Sequence, residues 1–171
     1  MGAMLPLAAL IAGGAAARAD DLGPLNLVGT EHTYLEFAGG LFDVDGHRGT
    51  NTTGEVSGEW RYGKKFFYIG PALGVLANFQ GATDFYGGFY SDLKFGKVVI
   101  TPLGAVSWYN KGGSLNLGGT FQFRLELGAS YELDSGSRVG LKIDHLSSAG
   151  INKVNPGESG LMVTYAIPLS Y

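Results

Sequence analysis

Phe121-Gln122-Phe123-Arg124-Leu125-Glu126-Leu127-Gly128-Ala129-Ser130-Tyr131-Glu132 alternates without a slip for twelve residues. Side chains alternate faces along a strand, so Phe121, Phe123, Leu125, Leu127, Ala129 and Tyr131 share one side. Gln122, Arg124, Glu126, Gly128, Ser130 and Glu132 share the other. A strand with one greasy and one charged face belongs in a sheet that separates lipid or core from something polar.

Seven further stretches carry the same period between turn residues, giving expected strands at about 31–42, 53–62, 65–77, 84–95, 97–109, 120–133, 137–147 and 159–171. Each has about the ten residues that a tilted membrane strand requires. The links between them also alternate. Tyr62-Gly63-Lys64-Lys65, Phe95-Gly96-Lys97 and Asp134-Ser135-Gly136-Ser137 read as tight turns, whereas 43–52, 78–83, 110–119 and 148–158 read as longer loops. Short turns at one end and long loops at the other predict an all-β fold, an eight-stranded antiparallel transmembrane β-barrel of the outer membrane.

Closure is supported by the polar phase. Glu55, Glu59, Arg61, Asp92, Lys94, Arg124, Glu126, Glu132, Arg138, Lys142 and Asp144 all fall opposite the apolar stripe, where charges of both signs can pair across an interior. Tyr34, Trp60, Tyr62, Tyr68, Tyr90, Trp108, Tyr109 and Tyr131 lie near segment ends and are candidates for interfacial girdles. Eight strands enclose a space that side chains fill, so function is expected on the outer wall or in the loops rather than in a pore.

Composition agrees. The chain has 171 residues, 29 glycines and a net charge of −3 with no basic cluster, which gives one domain and no nucleic-acid partner. Without cysteine there is neither thiol chemistry nor a disulfide. An apolar run from Met4 to Ala17, then Ala17-Arg18-Ala19 before Asp20-Asp21, reads as a secretory signal peptide over 1–19, leaving 20–171 for the barrel. No Lys or Arg precedes that run.

The chemistry-bearing feature lies on the seventh strand. Val139, Leu141, Ile143, His145 and Ser147 point one way, so a general base and a hydroxyl nucleophile share the apolar, lipid-facing side. With both termini in the periplasm the seventh strand ends at the outer leaflet, where lipopolysaccharide is the abundant ester. Histidine and serine are the pair needed for acyl transfer, the imidazole accepting the hydroxyl proton as the oxygen attacks the carbonyl. Glu158 follows across the outer loop as a carboxylate to orient the imidazole. The competing reading is a rim His and Ser in a non-enzymatic surface barrel serving adhesion or envelope integrity.

His145-Leu146-Ser147-Ser148-Ala149-Gly150, followed by Asn155-Pro156-Gly157-Glu158 and a last alternating strand, resembles the PagL family of lipid A 3-O-deacylases. The likeness is sharpest over 120–171. It implies an eight-stranded outer-membrane barrel that hydrolyses the ester holding the 3-O acyl chain of lipid A at a Ser-His-Glu site outside the wall. By matching position it implies His145 as base, Ser147 as nucleophile and Glu158 as orienting acid. It also implies Ser148 and Gly150 at the oxyanion hole and Asn155 as a supporting loop residue. Two positions depart from the family pattern. Ser148 stands where the family has Asn, and Glu158 comes one residue early. By phase Glu158 belongs inside with Met162, and Ser159 outside with Leu161, unless a loop or bulge re-aims the carboxylate.

Expected partners are lipid A, the surrounding outer-membrane lipids and, as an option the sequence leaves open, a second copy of the chain. Neither a metal nor an organic cofactor is expected. Asp43-Val44-Asp45-Gly46 begins like a calcium loop but lacks a closing glutamate, and reads as a solvated turn. His32 and His47 have no second histidine at ligand spacing.

Overall fold

In the computed structural model, which describes residues 21–22, 25–46 and 52–169, eight alternating segments pair edge to edge. They are β1 (Thr33–Phe42), β2 (Thr53–Arg61), β3 (Gly70–Asn78), β4 (Thr83–Tyr90), β5 (Val98–Asn110), β6 (Phe121–Glu132), β7 (Arg138–Ser147) and β8 (Glu158–Leu169). Each is antiparallel to its chain neighbour, and β8 also pairs with β1, so the sheet has no free barrel edge. The expected leader at 1–19, His47 and the last two residues of the eighth expected strand lie outside the described residues.

Three boundaries differ from the sequence expectation. The segment expected at 84–95 breaks at Ser91–Asp92, and Leu93–Phe95 turns back on Val98–Ile100 as a short hairpin at the turn end. Asp92 causes the break: its buried carboxylate accepts from Thr101 Oγ1 at 2.5 Å and pairs with Lys65 at 2.8 Å. The segment expected from 65 begins as a strand at Gly70, because Phe66–Ile69 closes a tight turn with Phe67 and Tyr68 in the left-handed region. The link between β3 and β4 is short rather than long, since Asn78 Oδ1 accepts from the amides of Gln80 and Ala82 and folds the chain straight back.

The interior fills as its phase requires. At mid-height Lys142 reaches Glu36, Glu126 and Glu59 at 3.1, 3.4 and 3.7 Å, and Arg61 pairs with Glu36 and Glu59. Arg124, fully buried, holds Asp84, Glu126 and Asp144 at 3.2, 2.5 and 3.0 Å. Charges removed from water survive only when paired in this way. Toward the loop end the filling becomes apolar: Phe42, Leu76, Leu146 and Met162 pack with Leu115 and Leu117 of the β5–β6 loop.

Not all the expected girdle aromatics face lipid. Tyr34, Tyr90 and Tyr109 are buried inside, the first two beneath Arg138 at 4.1 Å and Lys65 at 4.7 Å. Their strand phase, not their nearness to an end, decides their face. Trp60 stacked on Tyr62 and the exposed Tyr131 at the turn end, with Trp108 against Phe121 at the loop end, form the outward aromatic pairs.

Candidate active site on the outer wall

β7 carries His145 outward near its loop end, between Leu125 of β6 and Ser159 of β8, its register partners. The imidazole is exposed, and its Nδ1 lies 3.1 Å from Ser159 Oγ. Ser147, the last residue of β7, is half-buried on the same face opposite Phe123. His145 and Ser147 therefore share the lipid side, as their spacing predicted.

Glu158 does not join them. Its side chain is fully buried inside the barrel, where Oε2 accepts the Asp43 amide at 3.3 Å. No bulge re-aims β8, so the period-two rule holds and the residue facing His145 is Ser159. The expectation of a Glu158–His145 contact is corrected accordingly.

The loop after β7 turns sharply at Ala149 and Gly150, whose φ values are +50° and +82°. Asn155 Oδ1 accepts the Ser148 amide at 2.8 Å, which makes Asn155 a brace of the loop. Ser148 is itself buried, its hydroxyl accepting from the Asn152 amide at 3.4 Å, so it faces away from Ser147's side of the wall. Gly150 is exposed, with open space where a side chain would begin. Gly157 closes the loop directly behind the imidazole, where a Cβ would lie 2.9 Å from His145 Cε1 and 3.2 Å from Nε2.

Beside His145 an apolar cleft of about 390 Å³ runs down the outer wall, lined by Leu125, Leu127, Ile143 and Leu161 and roofed by Val44. The Val44 amide donates to the Ser159 carbonyl at 2.9 Å, so the first outer loop is tied to the site. Asp43 beside it is buried rather than solvated. Sequence reading passed over Val44 and Gly157 and treated Ser159 only as a matter of phase; the cross-strand pairing that assembles them is not a local signal. His32 is exposed at the opposite end, before β1. Among the described residues no three His, Asp or Glu side chains are grouped to hold a metal ion.

The family model of lipid A 3-O-deacylase (PagL) matches residues 32–168, which take in the whole barrel up to the penultimate residue of β8. The chain belongs to this family. The family is one of ester hydrolases, as its name states. A 77-residue stretch is 32% identical to the lipid A deacylase PagL of Bordetella bronchiseptica, covering 45% of this chain but only 39% of that relative. Among solved structures, the outer-membrane enzyme PagL superposes with a TM-score of 0.62 at 19% identity, covering 80% of this chain and 99% of the other. Neisserial surface protein A superposes at 0.59 and 13% identity, covering 80% and 97%. At such identities the two superpositions establish the fold, an outer-membrane barrel.

Proposed function

We propose that this chain is an outer-membrane lipid A 3-O-deacylase in which Ser147 is the nucleophile and His145 its general base. The observation that carries the reading is the placement of both residues on the lipid-facing side of the wall, with His145 lining an apolar cleft, in a chain of this family. His145 takes the Ser147 Oγ proton as Oγ attacks the ester carbonyl of the 3-O acyl chain. The tetrahedral oxyanion collapses, the sugar oxygen leaves with the proton from His145, and the acyl group stays on Ser147. Water, deprotonated by His145, then attacks the acyl-enzyme, and the fatty acid leaves as His145 returns that proton to Ser147 Oγ. The exposed Gly150 amide is the proposed oxyanion donor. Leu125, Leu127, Ile143 and Leu161 offer the departing chain an apolar bed on the lipid-facing wall, as apolar as the lipid it leaves.

Mass spectrometry of lipid A from Gram-negative cells expressing this chain or its Ser147→Ala variant tests the reading. Loss of one 3-hydroxyacyl chain is expected only with the unmutated protein, and purified Ser147→Ala should lose turnover by on the order of 10⁴-fold. Unchanged lipid A in both, with the barrel folded in the outer membrane, would overturn it in favour of a non-enzymatic barrel.

A further inference from the structure

The register of β7 against β8 sets Ser159 directly across from His145, and directly opposed residues have Cβ atoms about 4.5–5.5 Å apart. Ser159 Oγ uses that proximity to reach Nδ1 at 3.1 Å. Glu158, one residue earlier, is committed to the other side of the wall by burial and by the Asp43 amide. Ser159 is in turn fixed by its backbone, its carbonyl accepting from Val44 and its neighbour Gly160 packed against Glu55 and Asp144. The hydroxyl thus occupies the place from which a carboxylate would orient a catalytic imidazole.

We propose that Ser159 is the positioning residue of this site: its Oγ accepts the Nδ1–H of His145, which keeps the Nε2 lone pair free to take the Ser147 proton. The inference rests on the deacylase reading above. An imidazole can donate from only one nitrogen while neutral, so the acceptor on Nδ1 selects the tautomer. A hydroxyl does this without a negative charge. It orients the ring but offers the imidazolium formed during turnover less stabilisation than a carboxylate would, so the site works with an uncharged orienting group.

The test measures kcat, KM and the pH dependence of kcat on detergent-dispersed lipid A for the full chain and for Ser147→Ala, Ser159→Ala, Ser159→Thr and Ser159→Asp, each checked for folding by heat-modified gel mobility. Ser159→Ala should lower kcat about tenfold with KM little changed, and Ser159→Thr, which keeps the hydroxyl, should restore most of it. Ser159→Asp should move the acid limb of the kcat profile up by about one pH unit, a shift that a purely structural residue would not produce. If Ser147→Ala is dead while Ser159→Ala keeps the parental kcat and pH profile, the assignment of Ser159 is wrong and the deacylase reading stands. If the parental chain is no more active than Ser147→Ala, the deacylase reading itself falls, and this inference with it.

Discussion

Behind His145 the chain has no room for a side chain. Gly157 has φ +69°, a region that L-residues enter at roughly 1–2 kcal/mol, and any Cβ would press on the imidazole edge that includes Nε2. Gly157→Ala therefore combines backbone strain with displacement of the His145 imidazole. Gly136 provides the comparison: it has φ +81° in the β6–β7 turn, where a Cβ would meet Pro168 Cγ at 3.5 Å and Cβ at 4.0 Å, far from the site. Both variants should lose similar stability. Gly157→Ala should additionally lose at least tenfold in kcat per folded molecule, measured on dispersed lipid A, whereas Gly136→Ala should not; equal activities would remove Gly157 from the site. This glycine could not be singled out by reading the chain, because its importance lies in what faces it across a loop. His145 and Ser147, two apart on one strand, could be. Glu158 faces inward for the same elementary reason that those two face the lipid, since a period of two permits only one of any adjacent pair to do so.

At the scale of the strands, alternation identified all eight and their inward faces, because a barrel wall separates two solvents and every residue must choose. It misjudged the ends where side chains reach across the mouth. Lys65, read as part of a turn, is drawn inward between Glu31 and Asp92 at 2.7 and 2.8 Å, and the strand after it starts late. Closure also depends on positions that alternation treats as neutral. On β1, Gly40 faces Met162 of β8, and a Cβ there would sit 2.0 Å from the Leu161 carbonyl oxygen and 2.6 Å from Met162 Cα. These are backbone atoms of the strand that shuts the barrel, and they cannot step aside as a side chain would. Gly40→Ala should destabilise the barrel by about 2–4 kcal/mol, as expected of overpacking against fixed neighbours. Gly58→Ala on β2, where nothing lies within 4 Å, should change stability by less than about 1 kcal/mol. Guanidinium unfolding of the micelle-bound barrel, followed by tryptophan fluorescence, distinguishes them; equal midpoints would show that the seam tolerates a side chain.

Across the whole molecule the barrel is filled in layers: an apolar plug beneath the outer loops, a charged ladder at mid-height, and a second ionic cluster at the turn end. That last cluster joins segments remote in sequence, with Arg138 reaching Glu31, Glu132 and Asp92 at 2.7, 3.3 and 3.4 Å while Lys65 binds Glu31 and Asp92. Burial, reinforced by the Asp92 carboxylate, pushes Glu31 up to about 7. Burial works against Asp92 as well, but the hydrogen bond from Glu31 and the cations of Lys65, Arg138 and Arg61 hold it below the usual carboxylate range. Glu31 thus keeps its proton in the folded barrel at mildly acidic pH while Asp92 stays ionised. A carboxyl raised on folding stabilises the native state fully below its unfolded value of 4.5, and that contribution fades as pH rises through about 7. The Asp92 contribution runs the other way and is lost only below 3.8, outside that window. Stability should accordingly fall between pH 5 and pH 8 by on the order of 1–3 kcal/mol from this group. Glu31→Gln mimics the protonated acid at every pH and should flatten the dependence, with its largest advantage over the parent at pH 8. Guanidinium midpoints of both proteins at pH 5 and pH 8 measure this, and parallel shifts in the two would mean that Glu31 carries its charge in the folded barrel throughout.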